Sequence, residues 1–148
     1  MKRLFLILVL ATMMLGTAVA CGGGEAATTT DTQPAVSADL NEILDLPATV
    51  DVQTVATVKE RDDVVVLDVR EQWEYDEGHI PGVTLIPMGE VSSRLDEIPT
   101  DKEVIVTCRS GNRSGQITEF LRQQGYDNVH NMDGGILAWE AAGYEVEQ

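Results

Sequence analysis

Residues 64–68 read VVVLD and residues 103–107 read EVIVT, two short β-branched runs with no polar alternation. A strand of that kind is buried on both faces, which requires helices above and below it and so favours a parallel sheet. The intervening segments carry helical spacing instead. Asp51 stands where a side chain caps a helix start, with Val52, Val55 and Ala56 on one face. Residues 71–75 predict a helical turn ending near Gly78. Residues 84–86 predict a strand closed by Pro87, and Val91, Leu95 and Ile98 a helix stopped by Pro99. Ile117, Phe120 and Leu121 predict a helix starting near Ser114, with Gly125 as its C-terminal cap. A strand over 128–132 and a last helix over 136–142, ended by Gly143, complete the pattern. Alternating strands and helices give the α/β class, a mostly parallel central sheet flanked by helices on both faces.

The N-terminal end reads differently. Lys2 and Arg3 precede an apolar run over 4–15, and Ala18-Val19-Ala20 then offers a small-residue cleavage site. That layout is a signal peptide over 1–20, since a spanning helix needs ~20 apolar residues. Cys21 follows directly. The order resembles the lipobox of bacterial lipoproteins, which implies lipid on Cys21, although Ala18 stands where Leu is usual. An ordinary signal-peptidase site fits the same three residues. Residues 21–45 are rich in Gly, Ala and Thr and suit a flexible tether. Residues 38–46 admit a short extra helix, and the domain proper is expected over 46–148. An exported protein facing the periplasm or cell exterior, held to the membrane through Cys21, is the expectation.

Charge excludes one class of partner. The chain carries −15, or −17 without Lys2 and Arg3, where eight Lys+Arg face 25 Asp+Glu. A nucleic-acid binder needs a basic footprint, and this chain lacks one. No His/Cys/Asp/Glu set has metal-ligand spacing, and no cofactor is expected.

Cys108 sits where a parallel strand ends, the place where α/β sheets bind ligands. The loop that follows, Arg109, Ser110, Gly111, Asn112 and Arg113, combines a glycine, small polar residues and two cations. Such a loop can turn its N–H groups inward around an anion, with the following helix adding its N-terminal dipole. These features favour thiolate over thiol and place the Cys108 pKa below the free value of ~8.5. The alternative for an isolated cysteine is a small buried hydrophobe closing a core strand.

Arg113 follows Cys108 with four residues between. Protein-tyrosine phosphatases space the pair by five, so this ring is tighter. The spacing resembles that of the rhodanese sulfurtransferases, as does LDVREQWEYDEGHIPGV over 67–83, with its Asp-Val-Arg and Gly-His-Ile-Pro-Gly. MDGGILAW over 132–139 resembles the same family's Gly-Gly-x-x-x-Trp stretch. Val83 and Leu85 depart from the residues usual there, Ala and Asn. The resemblance covers about a hundred residues and implies the rhodanese-like fold, with Cys108 as the persulfide-forming nucleophile. It implies that residues 109–113 bind a small anionic donor such as thiosulfate, with a thiol or cyanide as acceptor, in a monomer.

Asp68 and Arg70 read as a buried structural ion pair. His79 and His130 are expected to be structural, and Trp73 and Trp139 core aromatics. Two other functions stay open: a non-enzymatic persulfide carrier or docking module, and a phosphatase or arsenate-reductase-like enzyme, which the short loop disfavours.

Overall fold

The computed structural model describes residues 44–148, so the segments read as signal peptide and most of the tether, Cys21 included, lie outside the described residues. Five strands form one sheet: β1 (Thr49–Val50), β2 (Val64–Asp68), β3 (Thr84–Leu85), β4 (Glu103–Thr107) and β5 (Val129–Met132). The order across the sheet is β1-β5-β4-β2-β3, and every pairing is parallel. Three α-helices lie between strands, α1 (Val52–Val58), α2 (Gln72–Glu77) and α3 (Asn112–Gln123), and α4 (Gly135–Ala141) follows β5.

The β-branched runs behave as the sequence predicts. In β4, Val104 and Val106 face one side of the sheet with Ile117 and Leu121 of α3. Ile105 between them faces the other side, with Val55 of α1 and Ile136 and Trp139 of α4. The period-2 alternation of a strand therefore feeds two apolar layers, one per face. Asp51 caps α1 as expected, its carboxylate accepting the Thr54 N–H at 2.7 Å.

Two expectations are corrected. Val91, Leu95 and Ile98 lie not in one helix but along two 3-10 turns, Val91–Ser93 and Leu95–Glu97. The break falls at Arg94, whose φ is −125°, with its guanidinium held by Glu90 and Glu97. Ser93 adds a bond from its own hydroxyl to the Glu90 carbonyl, the kind of local competition that shortens helices. The short extra helix expected over 38–46 lies outside the described residues except for 44–46, which are not helical. Trp73 is no core aromatic: it is 62% exposed, whereas Trp139 is buried. Strand β1, which the sequence reading did not contain, pairs with β5 and completes the sheet.

No helix among the described residues is long and apolar enough to cross a membrane. The described residues also hold no cluster of three or more His, Cys, Asp or Glu suited to a metal ion.

Candidate active site

Strand β4 delivers Cys108 at its carboxyl end, and α3 begins four residues later. The turn between them is made at Gly111, whose φ of +88° lies in the region that only glycine adopts readily. That conformation brings the Gly111 N–H back onto the sulfur, 3.2 Å from Sγ. It also starts α3 two residues earlier than the apolar spacing predicts, at Asn112. Ser114, fully buried in the first turn, is 3.4 Å from Sγ through its hydroxyl. Cys108 as a whole is 1% exposed.

Burial alone would push the thiol up. The Ser114 hydroxyl and the N–H groups of Ser114, Ser110 and Gly111 outweigh it and hold Cys108 below the ordinary cysteine value. The lowered pKa was expected; its leading stabilisers are hydrogen bonds rather than arginine charges. Ser114→Ala removes one donor and leaves the N–H groups in place. Alkylation of Cys108 should rise with pH as thiolate forms, and the alanine variant should need a higher pH to reach half its maximal rate. An unmoved midpoint would assign the stabilisation to the backbone alone.

Behind the loop lies the Gly134-Gly135 pair that opens α4. The Ile136 N–H donates to the Cys108 carbonyl at 2.9 Å, and the Leu137 N–H to the Arg109 carbonyl at 3.1 Å. Gly135 makes this approach possible: a Cβ there would stand 2.3 Å from the Cys108 oxygen. The loop is thus pinned by the first turn of α4.

The two arginines differ. Arg113 is committed to Glu74 in a two-pronged pair, Nη1–Oε2 at 2.6 Å and Nη2–Oε1 at 2.7 Å. The Arg113 guanidinium holds the Glu74 carboxyl below the usual range although burial opposes it, and Glu74 in turn raises Arg113. Glu74 also accepts the Glu71 N–H at 3.2 Å, closing a capping box at the start of α2. Arg109 is exposed, and its guanidinium has no hydrogen-bond or ion-pair partner among the described residues. Ser110 and Asn112 are exposed too, the Asn112 side chain turned to Gln116 at 2.8 Å.

Asp68 and Arg70 form the buried pair expected of them, 2.7 Å apart. Arg70 extends the pair into α2 by donating to the carbonyls of Glu74 (3.1 Å) and Gly78 (2.9 Å). A continuous chain of polar contacts therefore runs from β2 through Arg70, α2 and Glu74 to Arg113. His79 contacts Tyr75 and Glu147, and His130 contacts Pro47 and Glu103; neither bonds a loop residue. Ser114, Glu74 and Gly135 were missing from the sequence reading of the site. The capping-box spacing of Glu71 and Glu74, the Gly134-Gly135 pair and the helix start at Ser114 were the local signals available for them.

A protein-family model described as rhodanese-like domain matches residues 51–142. A sulfurtransferase of Allochromatium vinosum is 42% identical over 85 residues, 57% of this chain and 79% of that protein. The thiosulfate sulfurtransferase GlpE of Pseudoalteromonas translucida is 36% identical over 83 residues, 56% of this chain and 79% of that protein. Among solved structures, a rhodanese-related protein of Thermoplasma volcanium superposes with a TM-score of 0.62 at 33% identity, covering 68% of this chain and 98% of that one.

Proposed function

The chain belongs to the rhodanese-like domain family, and from that premise we propose that it transfers sulfane sulfur from thiosulfate or a similar anion through a persulfide on Cys108. The observation that carries the proposal is the sulfur's cradle, in which a buried Sγ accepts from Gly111 and Ser114 beside the uncommitted Arg109. Thiolate Cys108 attacks the outer sulfur of the donor. The new S–S bond forms as the donor's own S–S bond breaks, and sulfite leaves with the electron pair. The remaining Cys108–S–S⁻ carries its charge on the outer sulfur, where inward N–H groups stabilise it best. Arg109, with residues 110–112, receives the donor anion. Arg113, paired with Glu74, fixes the loop's shape and adds positive charge at one remove. A thiol or cyanide then removes the outer sulfur, giving two half-reactions and ping-pong kinetics.

Mass spectrometry of the full chain after thiosulfate treatment tests this directly. One added sulfur atom on the Cys108 peptide is expected; its absence with every sulfane donor defeats the proposal. Loading without repeated turnover supports a persulfide carrier instead.

The export signal over 1–20, the tether over 21–45 and lipid on Cys21 belong to the same proposal, supported by the residue layout there. Cys21→Ser should move the protein from the membrane fraction to the soluble one. Retention in the membrane would remove the anchor from the proposal.

A further inference from the structure

Beside the nucleophile loop, α2 and α4 enclose a cleft of about 320 Å³, lined by Trp73, Glu77, Arg109, Ile136, Leu137 and Glu140 among others. Its position is set by the loop itself. Arg109 follows Cys108 in sequence, and Ile136 donates to the Cys108 carbonyl.

Resting on the sulfurtransferase reading, we infer that this cleft receives the sulfur acceptor, and that the acceptor it fits is a small thiol carrying a positively charged amine. Trp73 and Leu137 stand on the α2 and α4 walls with 62% and 42% of their surfaces exposed. Two large apolar groups held in water beside the loop that follows Cys108 are surface that a ligand would cover. The inner charges of the cleft are already matched, Arg70 with Asp68 and Glu74 with Arg113. Glu77 and Glu140 are exposed, and their carboxylates have no partner among the described residues. They sit in the same cleft as the Trp73 ring, whose face favours a cation as they do. The volume lies at the small end of the ~300–1,000 Å³ typical of small-molecule sites. The chain's −15 charge also draws cations toward it.

The site is then divided by charge. The donor anion meets Arg109 and the loop N–H groups, while the acceptor's ammonium meets Glu77, Glu140 and Trp73. The acceptor thiolate forms a bond to the outer sulfur of Cys108–S–S⁻. The Sγ–S bond breaks, its electron pair returns to Cys108 as thiolate, and the acceptor leaves as a persulfide anion. Charge and atoms balance with no oxidant or reductant.

The full chain, loaded with thiosulfate and desalted, is discharged by cysteamine or by 3-mercaptopropionate, with rates compared per thiolate. A preference for cysteamine of about tenfold is expected from ion-pairing and cation–π contacts. It should fall to near parity in Glu77→Gln/Glu140→Gln, and Trp73→Ala should slow cysteamine more than mercaptopropionate. The pair Glu119→Gln/Asp127→Asn removes the same charge outside the cleft and should keep the preference. Equal discharge by both thiols in the unmodified chain overturns the inference, as does an equal loss in the control pair. A loaded chain that neither thiol discharges overturns it as well. Failure to load at all defeats the sulfurtransferase reading instead, so the two failures are distinct.

Discussion

Cys108→Ser is expected to abolish sulfur transfer while leaving the fold in place. Serine nearly matches cysteine in size, and the Gly111 N–H and Ser114 hydroxyl can bond its oxygen as they bond sulfur. What is lost is the nucleophile. A hydroxyl stays protonated at neutral pH, and the arrangement offers it no base: His79 and His130 are engaged elsewhere. Turnover with thiosulfate and cyanide should fall by ~10⁴-fold or more, the scale seen when a covalent nucleophile is removed. The serine variant should also take up no sulfur at residue 108 by mass spectrometry. The chain has one other cysteine, Cys21, so residual loading can be traced by peptide. Substantial turnover by the serine variant would end the persulfide mechanism.

The second large effect is expected from a residue that touches no substrate. In Gly135→Ala the new methyl would lie 2.3 Å from the Cys108 oxygen and 2.7 Å from both Arg109 C and Ser110 N. All three are backbone atoms, so no side chain can swing aside. The φ of +56° adds a conformational cost of ~1–2 kcal/mol for any residue with a Cβ. Overpacking adds ~1–3 kcal/mol. The structure can relieve this by moving the loop off α4, which shifts the Gly111 N–H away from Sγ. Urea unfolding should show a loss of ~3 kcal/mol from the two costs together. Persulfide loading should slow by ~100-fold, the penalty for displacing reacting groups by about an ångström. Gly143→Ala is the control: its φ is +80°, yet nothing lies within 4 Å of the added methyl. That variant should lose some stability and load normally. Wild-type loading by Gly135→Ala would show that α4 does not shape the nucleophile.

Residues with strong local signatures were legible in the sequence. VVVLD and EVIVT could only be strands covered on both faces, and Asp51 announced α1. Cys108 and its loop stood out because glycine and two arginines follow a strand end. Features made by distant residues were not legible. Strand β1 has two residues, and its partner β5 lies some eighty positions further on. The pairing of Arg113 with Glu74 was one of these features, since Glu74 comes from α2, 39 residues earlier. Trp73 looked like core by residue type alone, and only the placement of α2 puts it in water beside the cleft. Ser114 was visible as a helix start but not as a donor, since its aim depends on the left-handed turn at Gly111.

Strand order carries a consequence for how the protein is made. Because β5 inserts between β1 and β4, β1 has no neighbour in the sheet until β5 is available to pair. The clamp at Gly135 comes later still. Non-local pairing of this kind delays folding until the distant segment is available. A nascent chain halted before residue 129 therefore carries Cys108 without its rear support, with β1 unpaired. The loop's backing from α4 is acquired only once residues 129–137 have joined the sheet and the loop.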